Sequence, residues 1–436
     1  MAEPRALIVA APASGAGKTL ATLALIGALR SAGCKVASAK VGPDYIDPRF
    51  HAAATGAPCV NLDCWAMRPA LIRALAGTAA ASADLLVIEG VMGLFDGAED
   101  GSGSTADLAA LLGLPVVLVV DARRQAQSVA AVVKGFAEFR ADCRIAGVIL
   151  NRVASPRHRA VLEAALAPLG LPVLGAFTEN ADMQMPSRHL GLVQAEERED
   201  LRSFLDQAAG WAAESIDLDR LAALAAPLPP AEAPAAPLEP LGQRIAVASD
   251  RAFGFAYPHM LDGWRSAGAE LRPFSPLANE APDPQTDAVF LPGGYPELHA
   301  GSIAANEIFL GGLREAAERG ALVYGECGGF MVLGDGLIDA DGTRHAMAGL
   351  LPIETSFSSR KLHLGYRHLE HDGALPWPKR LAGHEFHYST VARQGAAEPL
   401  FSASDSAGRQ IGPMGLRRGR VMGSYAHTID TAKEAA

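Results

Sequence analysis

Two reactive side chains of this sequence stand in glycine-rich turns, each between a predicted strand and a predicted helix. Lys18 lies in the run APASGAGKT, and Cys327 lies in the run ALVYGECGGFM. Glycine permits the tight turn and the close approach of a ligand at such places. A lysine in this setting predicts binding of phosphate groups, whereas a cysteine predicts nucleophilic catalysis.

The turn at Lys18 has the features of a nucleotide phosphate loop. It follows the apolar run RALIVAA and opens a helix rich in alanine and leucine, where backbone N–H groups and a lysine can surround phosphates. Pro12 stands where the full motif has glycine, and an ordinary glycine-rich turn is the alternative. We predict that ATP is bound by Ser14, Gly15, Gly17, Lys18 and Thr19.

Acidic residues follow the next two predicted strands of this half, in the segments KVGPDYIDP and VIEGVMGLFDG. The carboxyl ends of parallel strands surround one crevice, so these acids are expected to meet beside the phosphate loop. Each acid taken singly could instead cap a helix or form a turn. We predict a site for an acid substrate at Asp44, Asp47, Glu89 and Asp96, with Mg²⁺ held by Thr19, Asp47 and Glu89. Asp121 fits the same crevice but is not counted as catalytic.

The turn at Cys327 has a glycine–x–nucleophile–x–glycine arrangement, and the helix after it is expected to help stabilise a thiolate. His427, in the segment GSYAHT, is the predicted base that takes the thiol proton and later protonates a leaving amine. Gly294, in the segment LPGGYPE, is the predicted N–H donor to a developing oxyanion. An inert buried cysteine beside an unrelated histidine is the alternative.

Two polar clusters of the second half fit several uses. His384 and His387 have a spacing that could serve a metal ion, although polar strand residues are the simpler interpretation. Arg360, Lys361 and Arg367 could hold a polycarboxylate.

The fold class predicted from the apolar pattern is α/β. Through residues 1–224, short β-branched and leucine-rich runs alternate with helical stretches, as in a buried parallel sheet with crossover helices. Segment 225–243 is rich in proline and alanine, so we predict a linker that carries neither helix nor strand. The same alternation restarts at residue 244 and predicts a second α/β domain over 244–436.

Composition narrows the class of partner and the compartment. The formal net charge of −10 offers no basic face, so neither nucleic acid nor a membrane surface is a predicted partner. The five cysteines have no metal-ligand spacing and suit a reducing compartment, and neither a signal peptide nor a membrane span is read. We therefore predict a cytoplasmic protein, and a homo-oligomer is left open.

A series of segments along almost the whole chain resembles one known family, the cobyrinic or hydrogenobyrinic acid a,c-diamide synthases of vitamin B12 biosynthesis. The segments occur in the same order as in that family. Those of the first half are KVGPDYIDPRFH, NLDCW, VIEGVMGLFDG, GSTADLA, GVILNRV and RHLGL. Those of the second half are FLPGGYPELHA, GECGGFMVLG and GSYAHT.

This resemblance implies a dethiobiotin-synthetase-like domain that binds ATP and a tetrapyrrole acid, followed by a class I glutamine amidotransferase domain. It further implies L-glutamine as nitrogen donor, a corrin-type polycarboxylate as substrate, and amidation of its a and c acetate side chains. In family terms Cys327 is the nucleophile and His427 its partner. Many amidotransferases carry a glutamate two residues past the histidine, and here that position is Ile429, so the third member of the site is not evident.

Two rival functions remain at this point. A cobyric-acid-synthase-type enzyme would amidate other side chains of the same ring, although the GPDYID and EGVMGLFDG segments favour the a,c enzyme. A partitioning-type ATPase switch with a vestigial glutaminase domain is the second rival, and the presence of both Cys327 and His427 opposes it. The ring substrate that the resemblance implies is either metal-free hydrogenobyrinic acid or cobalt-containing cobyrinic acid.

Overall fold

The computed structural model describes residues 4–180, 183, 187–188, 191–192, 195–198, 200–230 and 235–433. The chain divides into two compact units, of which the first comprises Met1–Trp65 and Pro69–Ala235 and the second comprises Ala66–Arg68 and Ala236–Ala436. Within the segment RHLGL, His189 and Leu190 lie outside the described residues. Within the described ranges, no helix combines the length and the apolar character that crossing a membrane requires.

The first unit is built on a parallel sheet. The strands described in this unit are β1 (Arg5–Ala10), β2 (Val36–Val41), β3 (Val60–Leu62), β4 (Leu85–Glu89), β5 (Val116–Asp121), β6 (Ile145–Val153), β7 (Val173–Thr178), β8 (Ser187–Arg188), β9 (Gly191–Leu192) and β10 (Ala226–Pro227). Strands β8 and β9 pair only with each other. Its helices are α1 (Lys18–Ser31), α2 (Asp47–Thr55), α3 (Pro69–Ala80), α4 (Thr105–Leu112), α5 (Val129–Glu138), α6 (Pro156–Leu166), α7 (Leu201–Ser215) and α8 (Leu218–Leu224). The sheet order is β3-β2-β4-β1-β5-β6-β7, with β10 antiparallel beside β1.

The strands at the centre of this sheet are covered on both faces. Strands β2 and β4 are buried along their whole length, and β1 is exposed only at Arg5, as expected when both faces of a sheet are covered. Because β1, β2 and β4 are parallel neighbours, their carboxyl ends lie at one edge. The segments that follow these three strands therefore meet there.

The second unit combines a largely parallel sheet with a mixed four-stranded sheet and an antiparallel five-stranded sheet. Its described strands are β11 (Arg244–Ala248), β12 (Glu270–Phe274), β13 (Ala288–Leu291), β14 (Leu322–Glu326), β15 (Gly336–Ile338), β16 (Arg344–Ala346), β17 (Ile353–Ser356), β18 (His363–Glu370), β19 (Arg380–His387), β20 (Thr390–Gln394), β21 (Phe401–Asp405), β22 (Gln410–Met414), β23 (Leu416–Arg418), β24 (Val421–Ser424) and β25 (Ala426–Thr431). Its helices are α9 (Pro258–Ser266), α10 (Ala300–Ala305), α11 (Glu307–Glu318) and α12 (Gly328–Leu333).

Two sheets of this unit are joined along the chain by a single residue. The first has the order β12-β11-β13-β14-β24-β23, and its neighbours are parallel except for β23. The second, β22-β21-β18-β19-β25, is antiparallel. Tyr425 alone separates β24 from β25, so the chain passes directly from one sheet to the other. This passage brings the segment after β24 close to the end of β14, which pairs with β24.

The proline- and alanine-rich segment carries more structure than its composition predicts. Ala226 and Pro227 pair with Ala6 and Arg5 as an edge strand, a position that proline tolerates because its missing N–H is not needed there. Farther on, the carbonyl of Leu238 accepts a hydrogen bond from Trp264, and Leu238 is buried. The change of unit, between 235 and 236, lies inside the predicted linker 225–243, of which residues 231–234 are outside the described residues.

Candidate active site

The loop between β1 and α1 has the backbone shape that its glycines allow. Gly15 has φ +78° and Gly17 has φ +86°, a left-handed conformation that side chains disfavour. Gly17 immediately precedes α1, and the ammonium of Lys18 donates to the carbonyl of Met92 at 3.1 Å. Ser14 lies exposed in the same loop. The loop therefore turns its backbone toward the edge of the sheet, where a phosphate chain can approach.

Strand β6 supports this loop from the side. Asn151 donates through Nδ2 to the carbonyl of Ala16 at 2.8 Å, and Arg152 donates through Nη1 to the carbonyl of Gly15 at 2.8 Å. A Cβ on Gly17 would lie 2.2 Å from Asn151 Nδ2, which gives a second reason for glycine there. Arg152 also pairs with Asp121 at 2.6 Å. Asp121 thus holds Arg152, which in turn contacts the phosphate loop at Gly15. The position of Asp121 at the end of β5 did not predict this contact.

Three oxygen-bearing side chains converge at the start of α1. Thr19 Oγ1 lies 2.7 Å from Glu89 Oε1 and 3.4 Å from Asp47 Oδ2. Asp47 is the first residue of α2 and Glu89 is the last residue of β4, so three separate elements supply the group. The donor set of one hydroxyl and two carboxylates has the hard oxygen chemistry that Mg²⁺ requires.

The sequence prediction did not single out Lys40, although its ammonium lies at the centre of this acidic group. Lys40 Nζ is 2.6 Å from Asp47 Oδ2 and 2.8 Å from Glu89 Oε1, and its side chain is 3% exposed. Burial opposes the charge on Lys40, yet the two carboxylates outweigh burial and raise its pKa. Lys40 is therefore a permanent buried cation.

Burial also acts on the other ionisable groups of this cluster. Burial alone would raise the pKa of Glu89, but Lys40 and His51, whose Nε2 contacts Glu89 Oε2, bring that pKa well below its usual range. Burial, helped by the nearby charge of Lys40, lowers the pKa of Lys18. Lys40 and Glu89 therefore each stabilise the charged form of the other.

Asp44 and Asp96 lie beside this cluster and organise the backbone around it. Asp44 Oδ1 accepts from the N–H groups of Ile46 and Asp47 at 2.8 and 3.2 Å, so it fixes the start of α2. Burial and the charge of Asp47 raise the pKa of Asp44 to about 7. Asp96 is exposed, and its Oδ2 accepts from Gly93 N–H at 2.8 Å in the loop after β4.

In the second unit, Cys327 occupies a strained position between β14 and α12. Its φ of +47° and ψ of −105° are unusual for a residue with a side chain. The backbone N–H of Cys327 donates to the carbonyl of Ser424 at 2.8 Å, and Gly329 N–H donates to the carbonyl of Pro292 at 3.1 Å. These bonds tie the turn to neighbouring segments and hold the strained residue in place. Such strain is typical of a nucleophile turn.

His427 lies next to this cysteine across the segment that follows β13. A Cβ added to Gly293 would lie 3.2 Å from Cys327 Cβ, 3.0 Å from His427 Nε2 and 2.3 Å from His427 Cε1. The two side chains therefore border one small space, and only glycine leaves room for it. Gly294 lies in the same segment, with its nitrogen 3.1 Å from the place that a Cβ on Gly328 would take.

The pKa values of Cys327 and His427 do not favour the thiolate that we expected from the sequence. Burial raises the pKa of the Cys327 thiol well above its usual range, and burial together with neighbouring histidines lowers the pKa of His427 to about 3. The helix α12 is six residues long and does not offset the burial of the thiol. The resting pair is thus a neutral thiol beside a neutral imidazole, which suits a proton transfer that occurs only when a substrate arrives.

An acid also faces the other nitrogen of this histidine. Glu326 Oε2 lies 3.7 Å from His427 Nδ1, and both side chains are 2% exposed. Glu326 Oε1 accepts from Tyr324 Oη and from Thr428 N–H, each at 3.0 Å. Glu326 is adjacent to Cys327 in the sequence, whereas the position two residues past His427 is Ile429.

His384 and His387 both lie in β19, and of the two only His387 belongs to a group of possible metal ligands among the described residues. His384 pairs in register with His427, whereas His363, Glu385 and His387 bring one ligand atom each within 4.8 Å of one another. Arg367 Nη2 lies 2.7 Å from Glu385 Oε2, so this carboxylate is already paired with a cation. Arg367 is accordingly engaged within the protein, while Arg360 and Lys361 are exposed.

Sequence comparison matches the two halves of the chain to two different domain families. Residues 7–193 match a family described as CobQ/CobB/MinD/ParA nucleotide binding domain, and residues 244–435 match a CobB/CobQ-like glutamine amidotransferase domain. The chain is 57% identical to a hydrogenobyrinate a,c-diamide synthase of Brucella suis biovar 1, over 99% of this chain and all of that protein. It is 54% identical to the protein of the same name from Sinorhizobium sp, over 98% of this chain and 99% of that one.

A solved structure described as a crystal structure of glutamine amidotransferase aligns over 42% of this chain and 89% of its own, at 17% identity and a TM-score of 0.28.

Proposed function

The chain belongs to the hydrogenobyrinate a,c-diamide synthase family, and on that basis we propose that it amidates the a and c acetate carboxylates of hydrogenobyrinic acid with ATP and L-glutamine. Both nucleotide-binding and amidotransferase families match, as this reaction requires. The proposed compartment is the cytoplasm, which supplies both ATP and glutamine.

The first unit is the proposed ligase. A carboxylate is a poor electrophile toward ammonia, so the proposed first step transfers the terminal phosphoryl group of ATP to a substrate carboxylate and releases ADP. The backbone around Gly15 and Gly17 would surround the phosphates, and Lys18 would neutralise them. Lys40 would hold Asp47 and Glu89 in place through its two ion pairs and keep Glu89 ionised. Ammonia then attacks the acyl phosphate, and phosphate leaves as the amide forms.

Mg²⁺ fits the donor set of this site, since Thr19, Asp47 and Glu89 present converging oxygen atoms. When bound, Mg²⁺ supplies charge neutralisation for the transferred phosphoryl group. Asp44 supports the position of Asp47 through the start of α2, and Asp96 supports the loop after β4. Both acids therefore contribute to the proposed substrate site indirectly, through the backbone.

The second unit is the proposed glutaminase. His427 Nε2 would take the thiol proton as Cys327 Sγ attacks the carboxamide carbon of glutamine. The carbon–nitrogen bond then breaks, His427 protonates the leaving nitrogen, and ammonia departs from a thioester. Water attacks the thioester, glutamate leaves, and the proton returns to Sγ. Gly294 N–H is the proposed donor to the oxyanion in both steps.

The observation that best supports this proposal is the shared space of Cys327 and His427 beside Gly293. A vestigial glutaminase domain would have no reason to keep a strained cysteine and to exclude every side chain between it and a buried imidazole. The same geometry opposes the partitioning-type switch, because such a switch needs no nitrogen donor.

The test incubates purified protein with Mg-ATP, glutamine and either hydrogenobyrinic or cobyrinic acid, and follows product mass together with ADP and glutamate. A Cys327→Ala variant is tested with glutamine and with ammonium. We expect two amides on one ring, lost in the variant with glutamine and restored with ammonium. Amides at other positions would support the cobyric-acid-synthase alternative. ATP hydrolysis without amidation of either ring would refute the proposal.

A further inference from the structure

The imidazole of His427 needs a partner that fixes which nitrogen carries its proton. Only the form with the proton on Nδ1 leaves Nε2 able to accept the proton of Cys327. The residue two positions later, Ile429, is buried in the core at 1% exposure, and its carbonyl accepts from His259 Nε2 at 3.0 Å. An aliphatic side chain cannot perform this task.

Glu326 is the carboxylic acid that faces His427 Nδ1. It ends β14, one residue before the nucleophile, and its Oε2 lies 3.7 Å from that nitrogen. Hydrogen bonds of catalytic groups are often long before substrate binds and shorten in the complex. The separation is therefore compatible with a hydrogen bond formed when glutamine enters.

The carboxyl group of Glu326 is held so that one oxygen remains for the histidine. Tyr324 Oη and Thr428 N–H both donate to Oε1 at 3.0 Å, and Thr428 Oγ1 lies 3.1 Å from Tyr324 Oη. Tyr324 is on the same face of β14 as Glu326, two residues earlier. Because two donors fix Oε1, the orientation of Oε2 toward His427 is fixed as well.

The other acid near this histidine has different partners. Glu385 accepts from Arg367 Nε at 2.8 Å and lies 2.9 Å from His387 Nε2. Those contacts occupy both of its oxygens. Glu326 is thus the acid whose second oxygen points to His427 among the described residues.

We propose that Glu326 is the positioning residue that orients His427 and fixes its Nδ1–H form, replacing the acid that other amidotransferases carry after the histidine. This role rests on the proposed glutaminase function of Cys327. Glu326 touches neither glutamine nor the sulfur in this proposal, and it acts only through the imidazole.

The decisive variant is Glu326→Gln. The amide oxygen can still accept from Tyr324 and Thr428, so the packing is preserved. The amide NH₂ then faces Nδ1 and favours an Nδ1 that accepts, which places the proton on Nε2 and removes the base. Glu326→Asp keeps the acid at shorter reach and is the conservative variant. Glu398→Gln, at a surface ion pair with Arg417, is the matched control.

The assay measures glutamate release and ring amidation with glutamine or ammonium. For Glu326→Gln we expect kcat with glutamine to fall at least about tenfold, KM to change less than about threefold, and ammonium-dependent amidation to stay within about twofold. Glu326→Asp should recover part of the loss, and Glu398→Gln should match the parent. Equal loss with glutamine and ammonium, or no loss with glutamine, would overturn the proposal.

A spectroscopic measurement decides the matter even if Glu326→Gln does not fold. Nitrogen-15 NMR of histidine-labelled parent protein, with His427 assigned through a His427→Asn variant, reports which ring nitrogen carries the proton. Because burial raises the pKa of Glu326 to about 8, the spectra are recorded above that pH, where we expect Nδ1–H in the parent and Nε2–H in Glu326→Gln. A parent His427 protonated on Nε2 under those conditions overturns the inference. Retention of glutamine use by Cys327→Ala would instead refute the proposed function itself.

Discussion

Replacing Lys40 by methionine removes the buried cation of the ligase site while keeping an unbranched side chain of similar length. In the parent, Lys40 Nζ contacts Asp47 and Glu89 at 2.6 and 2.8 Å, and it lies 3.3 Å from the carbonyl of Gly90. The variant leaves two carboxylates close together with no ammonium between them. Glu89 has no exposed side-chain surface, so water cannot take over the lost contacts.

Removing one partner from a buried ion pair costs about 3–5 kcal/mol, because the other charge stays buried. A domain of 150–250 residues changes its melting temperature by about 2–4 °C per kcal/mol. We therefore expect the first unit of Lys40→Met to melt roughly 6–20 °C below the parent. Glu89 has a lowered pKa in the folded state, so its stabilising contribution is present above about pH 4.5 and fades as pH falls toward the folded pKa. The difference between variant and parent should shrink in acid accordingly.

Differential scanning calorimetry of the full chain measures this change, with Lys134→Met as the control. Lys134 is a lysine of the same unit whose side chain is 58% exposed, so its loss should change stability by less than about 0.5 kcal/mol. In activity assays Lys40→Met should lose amidation with either nitrogen source and keep glutamate release at Cys327.

The double variant Lys40→Met, Glu89→Gln tests the physical cause. Neutralising Glu89 removes one of the two unpaired charges, so part of the lost stability should return, and the two changes should not be additive. The reasoning is refuted if Lys40→Met melts with the control, or if Glu89→Gln lowers the stability of Lys40→Met further by its full single-variant amount.

Three further predictions follow from named contacts. Gly293→Ala should lower glutamine-dependent activity by about 100-fold, because its Cβ would lie 2.3 Å from His427 Cε1, while ammonium-dependent activity persists. Asn151→Ala should raise the KM for ATP about 5- to 10-fold through loss of the bond to Ala16, with glutamate release unchanged. Burial raises the pKa of Glu326 to about 8, so kcat/KM for glutamine hydrolysis should rise as pH passes about 8 and the carboxylate forms, and this limb should be absent in Glu326→Gln.

Each of these predictions has its own control. Gly311→Ala adds a methyl group where nothing lies within 4 Å, and it should leave both activities intact. Gln207→Ala, an exposed amide of the first unit, should leave the KM for ATP unchanged. For the pH profile, the groups facing Glu326 and His427 are those of β14, β19 and β25, namely Tyr324, His384, Glu385, His387 and Thr428. A limb that survives in Glu326→Gln would assign the titration to one of them.

The two-part α/β architecture and the family of this protein are evident from the amino-acid sequence alone. Glycines, a lysine and a cysteine at strand-to-helix turns are local features, and local features are visible in one stretch of chain. The family resemblance is confirmed by relatives at more than half identity over the whole chain. The parallel sheet is confirmed too, because burial on both faces favours strands such as β1 and β5, which are apolar except for one charged residue at an end.

The polar groups that share an environment become evident only in the folded chain. Lys40 reads as an ordinary strand residue, and its role as the cation between Asp47 and Glu89 depends on the register of β2 against β4. Glu326 directly precedes Cys327, and nothing in the sequence pairs it with His427. It faces His427 because β24 pairs with β14 and leads directly into β25. The expected thiolate was likewise replaced by a neutral thiol, since burial is a property of the folded chain and not of the turn. Spacing along a sequence cannot report such contacts, because they join residues that are distant in the chain.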